Sequence, residues 1–181
     1  MKNNFIIVFL AIAFFSCGQN VPRKPIVRKT SSFLKESISF NKSLIAEEEK
    51  AFESYKSNDS LNSYITSTNG FSYKIEKKST SNYFPKFGDN LSFTYDVYNL
   101  RDEIIYSSKE IGIQKYYVDQ QEIVEGLRNG LKLMNEGDVV TFLFPSHKVF
   151  GYLGDQKKIE INQPLIYKVQ LNKINKKNES N

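Results

Sequence analysis

The residues able to carry covalent chemistry are few. The 181-residue chain has one His, His147, and one Cys, Cys17. A lone Cys cannot close an internal disulfide. His147 has no partner pattern for proton transfer and reads as an exposed loop residue. No cluster of His, Cys and carboxylates has the spacing of a metal site, and no cofactor is expected. The most informative spacing is apolar. Val124, Leu127, Leu131 and Met134 recur at intervals of three, four and three, which builds one buried stripe on a short helix. Gly126 and Gly130 fall inside it. Each glycine costs about 1 kcal/mol relative to Ala in a helix, so propensity alone does not place them there. The formal charge is +5, with lysines scattered rather than gathered in a stripe. That balance excludes a nucleic-acid partner and reads as a solvated surface.

The elements around this stripe divide the chain into five parts. Phe5–Phe15 is an apolar run too short to cross a bilayer of about 30 Å as a helix. It fits the core of a secretory signal over residues 1–16. Cys17 follows directly and resembles the lipidated Cys of bacterial lipoproteins, although Phe14 stands where Leu is common. The other reading is an ordinary signal with an incidental Cys. Residues 17–32, with two prolines and four basic residues, read as a lipid-anchored linker. Residues 33–62 form a helical extension. Leu34, Ile38, Ile45, Phe52 and Tyr55 make an amphipathic stripe over 33–57, and Ser57-Asn58-Asp59-Ser60 stops it. This helix is expected to pack on its own domain, with dimerisation or a spacer role left open. Residues 63–175 form the folded domain and 176–181 a polar tail. Strands are expected at 70–75, Leu91–Tyr98, Ile104–Tyr106, Lys115–Val118, Val139–Phe144 and Leu165–Leu171, with a helix over Glu125–Met134 closed by Gly137. Strands with one short helix predict an α+β fold: an antiparallel sheet wrapped around the helix.

The order of motifs is similar to that of the FK506-binding (FKBP-type) peptidyl-prolyl cis-trans isomerases. The central match is Glu122-Ile123-Val124-Glu125-Gly126-Leu127-Arg128-Asn129-Gly130-Leu131, followed by Met134 and Gly137-Asp138. Pro85–Asp89 precedes the strand ending Phe93-Thr94-Tyr95. Pro145–Gly151 resembles a loop that usually ends Ala-Tyr-Gly, and Asn162–Leu171 resembles the closing strand. The likeness covers about Tyr83 to Ile174. The helical extension and the signal further resemble the gliding-motility-associated isomerase lipoproteins of Bacteroidota.

This resemblance implies rotation about prolyl peptide bonds in an apolar cleft. Its walls would be Tyr95, Ile105, Tyr116, Ile123, Val124, Phe150, Ile159 and Tyr167, with Leu127 at the floor. The Val124 N–H would donate to a substrate carbonyl. Three positions depart from the family pattern. Leu127 replaces a frequent Trp, and Phe150 replaces a Tyr and lacks its hydroxyl. Tyr106 stands where an Asp often orients the pocket. The paired prolines usual before the last strand are replaced by Glu160-Ile161. The implied role is folding of proline-containing envelope proteins by an isomerase. A non-catalytic binding module and a structural lipoprotein are the alternatives. The anchor would be lipid on Cys17. Gly18 lacks the acidic character tied to inner-membrane retention, which favours the outer membrane facing the periplasm. Oligomeric state is left open.

Overall fold

The computed structural model of the chain describes residues 30–59 and 63–177. The expected signal, Cys17 and the linker as far as residue 29 lie outside them. The chain divides into two units, residues 1–38 and 39–181. Of the first, the described part is the opening of helix α1 (Thr30–Asn58), where Phe33, Leu34 and Ile38 are exposed. The helix starts three residues earlier than the hydrophobic stripe alone places it. Thr30, Ser31 and Ser32 are all residue types that open helices.

Among the described residues of the second unit seven strands form one antiparallel sheet: β1 (Ile65–Thr66), β2 (Ser72–Lys77), β3 (Asn90–Tyr98), β4 (Ile104–Tyr106), β5 (Gln114–Tyr117), β6 (Val139–Phe144) and β7 (Leu165–Asn175). Their spatial order is β1-β2-β6-β7-β3-β4, with β5 also paired to β3. This is the α+β architecture expected from the motif order. Two short helices lie between strands, α2 (Ser108–Ile111) and α3 (Glu125–Leu131). The first was not legible in the periodicity, because four residues make too short a stripe. Ser107 caps it by accepting from the Glu110 N–H.

The main core lies where α3 meets the sheet. Leu127, Leu131 and Met134 pack with Phe142 and Phe144 of β6 and with Leu165, Tyr167, Val169 and Leu171 of β7. The glycines of α3 are explained there. A Cβ on Gly126 would sit 2.7 Å from the Phe144 ring, and one on Gly130 would sit 3.0 Å from the Phe142 ring. The helix backbone therefore lies directly on two stacked phenylalanines. It ends at Leu131 rather than Met134 because the last turn tightens. Leu133 N–H donates to Gly130 and Met134 N–H to Leu131, both three residues back. Gly137, at φ +92°, then reverses the chain. The Gly137 N–H donates to Leu171 O and the Leu171 N–H to Asp138 O, which fastens the turn to β7.

The opposite face of β6 and β7 is covered by α1. Phe52 packs with Leu143 and Ile166, all nearly fully buried. Glu48, also buried, accepts from the Ser146 N–H at 3.0 Å. Strand β6 is thus enclosed on both faces, and its near-continuous apolar sequence reflects that.

Candidate active site

Strand alternation decides which side chains of β3 and β7 reach the site. Val97 pairs with Tyr167 and Tyr95 with Val169 across the antiparallel ladder. The Tyr95 and Tyr167 rings come together, stacked at 5.3 Å between centroids. Phe93 stacks on Tyr95 at 5.9 Å, and Phe144 meets Tyr167 edge-on at 5.4 Å. Such contacts fix ring orientation beyond simple area burial. Beside them opens a cavity of about 260 Å³, lined by Tyr95, Val97, Tyr106, Ile111, Phe150, Asp155, Lys157, Ile159 and Tyr167. It is small compared with sites for drug-sized ligands and suits one inserted side chain. Burial raises the Tyr167 and Tyr95 phenol pKa values above the ordinary tyrosine value. Both rings therefore present neutral walls.

Four of the nine residues expected at the site, Tyr95, Phe150, Ile159 and Tyr167, line this cavity. The other five stand in the adjoining core. Tyr116 and Leu127 are buried within it, and Ile105, Ile123 and Val124 are half-buried against it. The Tyr116 hydroxyl accepts from the Asp119 N–H at 2.9 Å, which secures the turn after β5. Val124 is the residue that opens α3. Its N–H thus precedes the intrahelical ladder, as a donor to an external carbonyl must.

The rim carries Tyr106, which departs from the family motif, and Asp155, to which no motif points. The Tyr106 hydroxyl donates to Asp155. The other carboxylate oxygen of Asp155 accepts from the N–H groups of Lys157, Lys158 and Ile159 at 2.9, 3.0 and 2.8 Å. One carboxylate thus folds the 155–159 turn, aims Ile159 into the cavity wall and holds Tyr106. Burial acts to raise its pKa, but these hydrogen bonds outweigh that and hold Asp155 below the ordinary carboxylate value. The hydrogen bond to Asp155 raises the Tyr106 pKa, as it stabilises the protonated phenol. Lys158 lies 4.6 Å from the Tyr106 ring centroid and pairs with Glu110 of α2 at 2.8 Å. A carboxylate therefore does stand at the cavity rim, supplied by the loop before β7 instead of β4. Its local signal is Gly154-Asp155-Gln156, a turn in which Asp bonds backbone N–H groups two or more residues on.

The arrangement offers an apolar slot between aromatic walls, with one ordered carboxylate at its edge. That geometry is joined by a match of sequence. The family model for FKBP-type peptidyl-prolyl cis-trans isomerases matches residues 81–172, about half of the chain. The chain belongs to that family. A probable FKBP-type peptidyl-prolyl cis-trans isomerase, FkpA, from Neisseria meningitidis serogroup B is 27% identical over 129 residues, 71% of this chain and 47% of the relative. The chain thus spans about half the length of that curated FKBP-type relative. A crystal structure of a peptidyl-prolyl cis-trans isomerase from Pseudomonas syringae pv. tomato superposes with a TM-score of 0.61 at 16% identity. It covers 75% of this chain and 96% of that one. At that identity the likeness is one of fold. The FKBP-type match begins just before Tyr83 and ends at residue 172, so it holds β3 to β6 and most of β7 and leaves α1, β1 and β2 outside.

Proposed function

We propose that the chain is a peptidyl-prolyl cis-trans isomerase that assists the folding of proline-containing envelope proteins. The observation that carries this reading is the slot walled by the stacked Tyr95–Tyr167 pair, Phe150 and Ile159, in a chain of the FKBP-type family. The barrier to rotation about a peptide bond is about 18–20 kcal/mol, and unaided prolyl isomerisation takes tens to hundreds of seconds. No heavy-atom bond breaks, so neither a nucleophile nor a general base is required. The planar amide owes its stiffness to charge separation that water favours. With the proline ring between Tyr95, Tyr167 and Ile159, the amide loses water and its resonance weakens, which favours the twisted state. The Val124 N–H meets the turning carbonyl and adds electrostatic stabilisation. The Tyr106–Asp155 pair keeps the rim in place during the turn. Phe150 contributes apolar wall but no hydroxyl, which lowers the rate relative to members that keep a Tyr there.

The same proposal places the protein on a membrane. Cys17 after the apolar run supports lipid attachment, and Gly18 supports the outer membrane facing the periplasm. The helical extension and signal together support a role like that of the gliding-motility-associated isomerase lipoproteins. Intact protein from native membranes should carry acyl chains on Cys17 by mass spectrometry, and Cys17→Ser should release it or leave an unprocessed precursor. A mature N-terminus downstream of Cys17 would contradict the anchor. The folding role is tested by refolding a protein whose slow phase is limited by a prolyl bond. Catalytic amounts of the full chain should shorten that phase in proportion to concentration. An unchanged slow phase would favour the binding-module reading, in which the same slot holds proline-containing segments without turning them.

A further inference from the structure

A second apolar depression adjoins the prolyl slot, and Phe150 lines both. Its volume is about 460 Å³, formed by Leu44 and Ile45 of α1 facing Val149, Phe150, Tyr152 and Leu153 of the loop after β6. No Lys, Arg, Asp or Glu lines it, although a quarter of the chain is charged. Ile45 is 40%, Leu153 58% and Tyr152 76% exposed, so the apolar surface faces solvent. Two contacts fix its walls in place. The Ser146 N–H at the start of the loop is held by the buried Glu48 of α1, and the Asn162 N–H donates to Gly151 O at 2.7 Å. The groove is therefore preformed.

We infer that this groove binds the apolar stretch of substrate chain next to the proline, so that α1 is part of the substrate-binding surface. The inference rests on the isomerase reading for the slot, because continuity through Phe150 is what names the occupant. The slot takes one side chain, whereas the substrate is a polypeptide that must leave it on both sides. A chain leaving past Phe150 enters a surface without charges, which favours the apolar segments that unfolded proteins expose. Polar side chains at the edge, Asn41 and Asn162, have the carboxamide chemistry to pair with a peptide backbone.

The test uses the purified full chain and prolyl peptides of one Leu-Pro core. One is a tetrapeptide. The others are lengthened on either side by four apolar or four acidic residues. The wild type should show a KM about tenfold lower for the apolar extension on one side, equivalent to about 1.4 kcal/mol, with kcat unchanged and no gain from acidic residues. In Ile45→Glu and in Leu153→Glu that ratio of KM values should fall to about one, with folding confirmed by circular dichroism. Fluorescence anisotropy of the labelled apolar peptide should show the same loss of affinity without any turnover. If no peptide is isomerised yet the anisotropy pattern holds, the isomerase reading fails and the groove stands. Equal KM values for all extensions in the wild type would overturn the inference. So would anisotropy unchanged by both substitutions, a fatty acid saturating the groove while peptides do not bind, or a dimer in solution that buries Ile45.

Discussion

At the residue scale the site depends on which side chains supply polar contacts that the aromatic walls cannot. Tyr106 and Asp155 form one unit, and each should matter through the rim it holds. Tyr106→Phe removes one hydrogen bond, worth about 0.5–1.5 kcal/mol. That corresponds to a fall in kcat/KM of about twofold to thirteenfold. Asp155→Ala also releases the N–H groups of residues 157–159 and should cost more than tenfold, with Asp155→Asn between the two. Because the Asp155 pKa is depressed in the fold, it stays ionised through the neutral range. The rate should be flat from about pH 5 to 8 and fall only below the ordinary carboxylate value of 3.8. A titration of activity near pH 6 would contradict the assigned role. The order of the family motifs in the sequence points to nine residues, and four of them, Tyr95, Phe150, Ile159 and Tyr167, line the cavity. Asp155 was not legible, since it acts from a turn whose position depends on how β4 and the loop before β7 meet in space. The absence of an Asp at position 106 read as a lost carboxylate, whereas a Tyr there reaches one elsewhere.

At the scale of elements, α3 and α1 make opposite demands. Gly126 lets α3 touch the Phe144 ring, whose own position is fixed by Tyr167 and Phe71. Gly126→Ala gains about 1 kcal/mol of helix propensity but forces overpacking that costs about 1–3 kcal/mol. The variant should melt lower than wild type by a few degrees, and Gly130→Ala should lose less, because its neighbour is farther. Equal or raised melting temperature for Gly126→Ala would show that the ring can yield. Helix α1 packs through Phe52 onto Leu143 and Ile166. Phe52→Ala should destabilise by about 3 kcal/mol, followed by chemical denaturation. A fragment beginning at Ser63 retains the whole α3-facing core. It should still unfold cooperatively, with stability lowered by a similar amount. A fragment without a transition would place α1 within the indivisible core. Part of this was written in the pattern of β6: Val139-Val140-Thr141-Phe142-Leu143-Phe144 does not alternate, as a strand open to water on one face would. What periodicity could not provide was the partner, because a stripe on α1 says that a face is apolar and not what it meets.

At the scale of the whole molecule, stability against pH follows from groups whose protonation differs between folded and unfolded chains. Asp89 is 2% exposed. It accepts from the Tyr83 hydroxyl and from the N–H groups of Lys86 and Lys177 at 2.9, 2.9 and 2.8 Å. Burial works to raise its pKa, and the hydrogen bonds together lower it below the ordinary carboxylate value of 3.8. Its contribution is therefore present above that value and lost as pH falls through the depressed folded value. The half-buried Tyr95 and the buried Tyr167 act at the other end. Their raised pKa values favour the protonated form in the fold, so stability falls as pH climbs above the ordinary tyrosine value of 10.0. Denaturant midpoints should form a plateau between these limits. The central claim, however, is catalytic: the slot at Tyr95 and Tyr167 turns prolyl bonds. Its most direct measurement follows cis-to-trans conversion of an Ala-Leu-Pro-Phe peptide by the full chain, beside folded Phe150→Tyr and Tyr95→Ala. The account predicts a rate above background for wild type, a higher one for Phe150→Tyr and a clearly lower one for Tyr95→Ala. Background rates in both wild type and Phe150→Tyr, with each protein folded, would contradict it.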